Sequence, residues 1–124
     1  MSERLNGPRA KFARALEHFD QLYAEIADFR KRNPYRTVTE DDPSTGDKVY
    51  RVEITENPPQ RWSLIVGDCV HNLRSALDLL VWQLVAAGGG SPTNQTMFPV
   101  TREAKDFEPR MLSRVAGADK KAFG

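Results

Sequence analysis

Five side chains in the middle of the chain are spaced so that they could do chemistry together. Asp68, His71, Arg74, Ser75 and Asp78 recur at three- and four-residue intervals, with Trp82 at the end of the row. On a helix such intervals put side chains on one face. In an active site of this kind, His71 would serve as general acid or base, Asp68 would orient its ring, and Arg74 would hold an anion. The row also has a structural reading. Arg74 and Asp78, four apart, make a salt bridge in a polar seam where a second helix, from this chain or a partner, crosses. Ion pairs organise packing more often than they catalyse. An arginine on a helix this apolar needs a carboxylate, because a partly dry unpaired charge is costly. The structural reading is therefore adopted, with Arg74 paired to Asp78 and Asp68 to His71. Arg74, Asp78, His71, Leu79 and Trp82 are assigned to a helix–helix interface, and no residue is assigned as catalytic. Were the chain an enzyme, His71, Arg74, Asp68 and Asp78 would be the candidates. Asn72 and Gln83 border the row as candidate bridges between helices.

Other chemistries find little support. His18 and His71 are the only histidines and Cys69 the only cysteine. No ligand pair has structural-zinc spacing, so no metal and no cofactor is assigned. Cys69, on the apolar side of its helix, reads as an inert buried thiol, and His18 as a half-exposed surface residue. Gly88-Gly89-Gly90 ends a helix, whereas phosphate loops open one. No Gly-x-Ser-x-Gly elbow is present. Arg30, Lys31 and Arg32 suit the negative end of a helix dipole and lack the aromatic interleaving of a single-strand binder.

The chain has 18 basic and 17 acidic residues, a net charge of +1. Whole-chain electrostatics therefore do not argue for nucleic acid or for an anionic membrane surface. A single cysteine excludes an internal disulfide framework and fits a reducing compartment. The stretch MSERLNGPRAKF lacks an apolar signal region. The run 62–87 is interrupted by Asp68, His71, Arg74 and Asp78, which makes it a poor membrane span. A cytoplasmic protein is expected.

The elements that would position the row follow from periodicity. Val66, Val70, Leu73, Leu77, Leu80, Leu84 and Ala87 repeat in a four-three rhythm and define the apolar seam of a central helix over 58–87. That seam is the expected core face, with Leu77 buried at its middle. Asn57 is the expected cap, Pro58 the first helical residue and Gln60 the capping-box partner. A first helix over 8–32 opens near Pro8, carries Phe12, Leu16, Phe19, Tyr23 and Ile26 at helical spacing, and stops at Asn33-Pro34. Between the helices, 35–54 reads as a β-hairpin around the turn-rich DDPSTGD. Tyr50, Val52 and Ile54 are expected to face a helix or another chain, and Arg51 and Glu53 to face water. Short helices are expected over 101–115: one across 102–107, and another opened by Pro109. The segment 118–124 reads as the first turn of a further helix.

The predicted fold is mainly α: two long antiparallel helices joined by a β-hairpin, plus short C-terminal helices. All of 1–124 forms a single domain. Ile65, Leu79 and Trp82 lie off the main seam, so apolar surface is left over and a homodimer is expected to cover it.

The segment GDCVHNLRSALDLLVWQL, followed after a Gly-rich break by Phe98-Pro99-Val100, resembles an uncharacterised bacterial and phage protein family. In that family a Gly-Asp, then His-Asn-Leu-Arg-Ser-Ala-Leu-Asp, sits on one long helix. Here the match is carried by Gly67, Asp68, His71, Asn72, Leu73, Arg74, Ser75, Ala76, Leu77 and Asp78. The likeness covers the hairpin, the central helix and the Phe-Pro segment. Longer members continue into a helix with an Asp-Lys-His-Arg motif, and Asp119-Lys120-Lys121 is not that motif. The resemblance thus implies a short relative, or one lacking a C-terminal part. The architecture also resembles HEPN domains, helical bundles many of which are ribonucleases. Their signature is Arg, four to six residues, then His. Arg14 precedes His18 with three residues between, and Arg61 precedes His71 with nine, so the signature is absent. The expected function is a non-enzymatic protein-interaction module, phage-encoded or prophage-derived, acting on a host protein or on itself. The alternatives are a HEPN-like ribonuclease or its inactive relative, and a nucleic-acid-binding protein.

Overall fold

The computed structural model describes residues 3–115. A 3-10 turn at Glu3–Leu5 runs into α1, Asn6–Lys31. Pro8 falls in the first turn of α1, where backbone N–H groups lack intrahelical acceptors and a missing one costs nothing. The helix closes at Asn33, whose φ of 52° is left-handed. Its N–H donates to the Arg30 carbonyl at 3.1 Å, an αL closure that asparagine tolerates better than most residues. Pro34 follows, buried and without an N–H to continue the ladder.

The chain then forms β1, Tyr35–Asp41, and β2, Lys48–Ile54, paired antiparallel from Tyr35↔Ile54 to Asp41↔Lys48. The turn is held by the Asp42 carboxylate, which accepts from the Ser44 N–H at 2.8 Å and the Ser44 hydroxyl at 2.6 Å. Gly46 supplies the left-handed residue, at φ 75°. Alternation sorts the two faces. One carries Tyr35, Tyr50, Val52 and Ile54. The other carries the cross-strand pairs Arg36–Glu53 and Arg51–Glu40. The expected covering of the apolar face by a helix is not found: the hairpin lies along neither helix, and Tyr50, Val52 and Ile54 are all exposed. The hairpin is anchored at its base, where the Thr55 N–H donates to the Pro34 carbonyl at 2.7 Å.

The second long helix, α2, runs Arg61–Ala87. It starts after the Pro58-Pro59 pair, so Asn57 is not its cap. Gln60 holds that position and makes no side-chain cap bond. The glycine run ends α2 as a Schellman motif. The Gly89 N–H donates to the Ala86 carbonyl at 3.3 Å and the Gly90 N–H to the Val85 carbonyl at 2.9 Å, with Gly89 at φ 81°.

α1 and α2, each about 40 Å long, run in opposite directions. Gly7 lies beside Leu79, the Cys69 thiol donates to the Ala15 carbonyl at 3.5 Å, and Arg61 bonds Glu25. The buried face of α1 comprises Pro8, Ala15 and Phe29. From α2 it is met by Ile65, Asn72 and Ala76, with Cys69 half-buried among them. This corrects the expected core face. Of the seven seam residues, Val66, Val70, Leu73 and Leu77 form a neighbouring stripe, about 100° around the helix, and all four are exposed, as is Ala87, whereas Leu80 and Leu84 are half-buried. The helix contact uses small side chains, which let two backbones approach, and the larger aliphatic side chains stand to one side.

Beyond the glycines the chain returns across the side of α2 remote from α1. A 3-10 turn at Ala104–Asp106 leads without a break into α3, Phe107–Arg114. One continuous segment thus replaces the two separate short helices expected, and Pro109 sits inside the first turn of α3. Val81 and Val85, fully buried, pack with Val115 and Phe98 as a second small core. The further helical turn expected over 118–124 lies outside the described residues.

Candidate functional site

Arg74 and Asp78 occupy successive turns of α2 on the side facing the returning chain, so their side chains meet. The pair is bidentate: Nε of Arg74 donates to Oδ2 of Asp78 at 3.1 Å, and Nη2 lies 3.1 Å from Oδ1. Each partner also holds one end of the same residue. Nη2 of Arg74 donates to the Phe98 carbonyl at 2.8 Å, and the Phe98 N–H donates to Oδ1 of Asp78 at 2.9 Å. Four hydrogen-bonding groups close on one another, and the ring of Phe98 drops onto Val81 and Val85. The ion pair clamps the Phe98 main chain to α2. Arg74 is therefore occupied, with its fork divided between a carboxylate and a carbonyl.

The rest of the row is not drawn into this arrangement. Asp68 and His71 are exposed, and among the described residues no hydrogen bond or ion pair joins them. The Asp68 carbonyl instead accepts from Nδ2 of Asn72 at 2.8 Å. Asn72 thus donates within its own helix and, among the described residues, hydrogen-bonds to no other helix, although it is buried. Ser75 and Gln83 are half-buried. Leu79 and Trp82 stand at the surface, around the helix from the clamp. The five residues assigned to one contact are therefore split. Arg74 and Asp78 hold the chain's own return segment, whereas His71 and Trp82 face solvent and Leu79, 36% exposed, lies beside Gly7 at the start of α1.

Two features lay beyond the sequence reading. The first is a polar corner where the helices and the hairpin meet. Glu25 of α1 accepts from Nε of Arg61 and from Nε1 of Trp62, both at 3.0 Å. Trp62 stands edge-on to Phe29, ring centroids 5.2 Å apart. The Arg32 guanidinium lies over the Phe29 ring, 5.4 Å from its centroid, and binds Glu56 at 2.7 Å. The Arg61 hydrogen bond, with help from Gln21 and Trp62, holds the Glu25 carboxyl below the usual carboxylate range, against a smaller opposing effect of desolvation. Arg32 does the same for Glu56. Nothing in local spacing marks these pairs, because Glu25 and Arg61 are 36 residues apart.

The second feature is a broad apolar face. On α1, Phe12, Leu16, Phe19 and Tyr23 each follow by one residue the line that faces α2. On α2, Val66, Val70, Leu73 and Leu77 do the same. In an antiparallel pair the same 100° step carries both stripes to one side, so they form one continuous surface. A groove of about 280 Å³ between the helices shows this directly: Phe12 and Leu77 line it together, over Ala76. None of the eight side chains bears a charge, and they expose between 37% and 70% of their area.

Among the described residues no group of three His, Cys, Asp or Glu side chains gathers in a way that could hold a metal ion. No described helix is long and apolar enough to cross a membrane. No protein-family model, curated protein or solved structure matches the chain.

Proposed function

We propose that this chain is a non-enzymatic protein-interaction module that works in the cytoplasm and binds through the apolar face shared by α1 and α2. The observation that carries this reading is the face itself. Monomeric soluble proteins rarely expose a contiguous apolar surface of this kind unless it binds something. The division of labour on α2 supports it. The cation of the polar row, Arg74, is already committed to Asp78 and to the Phe98 carbonyl. A host protein and a second copy of the chain are the two classes of partner, and a phage or prophage origin is in keeping with either.

A second reading, a HEPN-like ribonuclease or its inactive relative, draws on the exposure of His71 and Asp68 and on the mainly helical frame. Fold-level likeness is a weak warrant for activity. A ribonuclease assay on a mixed-sequence RNA decides between the two, with His71→Ala as control. The interaction module should leave the RNA intact. Cleavage that His71→Ala abolishes would replace the first reading with the second. Nucleic-acid binding without cleavage, falling steeply with salt, would favour the third alternative.

A further inference from the structure

We infer that the partner seated on the α1–α2 face is a second copy of this chain, packed face to face so that two helix pairs make an antiparallel four-helix bundle. The inference rests on the interaction-module reading above and adds its partner and its geometry.

Three observations point to a second copy. The first is area. Aromatic side chains present about 150–250 Å² each, and eight side chains this exposed amount to an apolar area on the order of 800 Å². A stable interface of standard size takes about 800 Å² from each partner. The second is shape. Two parallel stripes, one on each of two antiparallel helices of nearly equal length, form half of a bundle whose missing half has the same layout. A two-fold axis through the face brings each stripe onto an apolar stripe of the partner, so the surface is its own complement. The third is charge. The eight side chains of the two stripes are uncharged, with Arg9 a lone cation in the groove lining, and the chain's net charge is +1, so association with itself meets little repulsion.

This contact lies away from the one expected from the sequence. Val66, Val70, Leu73 and Leu77 are on one flank of α2. His71 and Trp82, together with Leu64, are on the opposite flank. The clamp of Arg74 and Asp78 occupies the remaining side, against the chain's own return segment. The bundle therefore leaves Trp82 and Leu64 at the surface and leaves the clamp intact.

Sedimentation equilibrium of the full chain, with far-UV circular dichroism to verify folding, tests the inference. Four variants are compared with the wild type. Phe19→Glu and Leu73→Asp put a charge on the face at positions already partly exposed, so each copy keeps its own fold. Leu64→Asp and Trp82→Glu do the same on the opposite flank. The expected result is a wild-type dimer, weakened about 30-fold or more by Phe19→Glu and by Leu73→Asp, and unchanged by Leu64→Asp and Trp82→Glu. A dimer dissociated by Trp82→Glu and untouched by Phe19→Glu and Leu73→Asp would overturn the assigned face. A wild type that stays monomeric overturns the second copy as partner. Binding of the dye 8-anilinonaphthalene-1-sulfonate to the wild type then separates the two levels. Dye binding lost in Phe19→Glu shows an open apolar face that serves some other protein, and the interaction-module reading stands. A monomer that binds no dye removes both.

Discussion

Asp78→Ala should loosen the Phe98 segment and lower the stability of the whole chain. The substitution removes the acceptor of the Phe98 N–H, and with it the carboxylate that shares the guanidinium of Arg74. Hydrogen bonds to charged groups are worth about 1.5–3 kcal/mol each. Both side chains are about a third exposed, at 35% for Arg74 and 34% for Asp78. Water therefore reaches the freed groups and holds the loss near the lower end for the set, at about 2 kcal/mol. For a chain of this length that is a fall in melting temperature of roughly 6–10 °C. Amide exchange gives the local readout. The Phe98 N–H, protected by Asp78, should exchange much faster in Asp78→Ala, and Asp78→Asn, which keeps an acceptor, should restore part of the protection. A cycle with Arg74→Ala and the double substitution should show coupling of about 0.5–3 kcal/mol, as for groups in one network. Were the row an active site instead, Arg74→Ala would leave melting untouched and abolish an activity. An unchanged melting temperature together with unchanged exchange at Phe98 would refute the clamp.

Two further outcomes follow from the same geometry. Gly67 lies inside α2 with helical φ, and a Cβ placed there meets nothing within 4 Å, so Gly67→Ala should stabilise the chain by about 0.5–1 kcal/mol in thermal melting. Glu25 and Glu56 have depressed folded-state values, so their contribution is complete above the ordinary glutamate value of about 4.3 and is lost as pH falls through the lower folded values. Melting temperature should drop across that acidic window, and Glu25→Gln should flatten the drop; an equal slope in both proteins would show that the corner is not its source.

The helical frame was legible because its signals are local. The triple glycine stops α2, Asn33-Pro34 stops α1, and the DDPSTGD stretch turns the hairpin, each through the backbone freedom or restriction of a few neighbouring residues. The Arg74–Asp78 pair was legible for the same reason, since four residues on one helix are always close. What Arg74 and Asp78 hold was not. Phe98 lies 20 residues beyond Asp78, and the two contacts are to its backbone, which every residue carries. No residue type at position 98 announces that its N–H and carbonyl are the ligands.

The misplacement of the core face has a different cause. Periodicity finds the most apolar stripe of a helix, and on α2 that stripe is Val66, Val70, Leu73 and Leu77. It does not say whether the surface meeting the stripe belongs to the same chain. The contact with α1 uses Ala76, Cys69 and Asn72, together with Ala15, and small or mildly polar residues score poorly as a core. One signal was present in the sequence. Ala15 and Ala76 are small residues beside much larger apolar neighbours, Leu16 and Leu77, on both helices. Small residues on matching lines of two helices permit close approach, and the bulky lines beside them are then left facing outward together. A leucine that is 37% exposed cannot carry the loss of about 2–5 kcal/mol that truncating a buried leucine brings. Within one copy Leu77 is surface. The periodicity that made it resemble a core residue describes the exposed apolar stripe beside the helix contact, which is the stripe proposed above to meet a second copy.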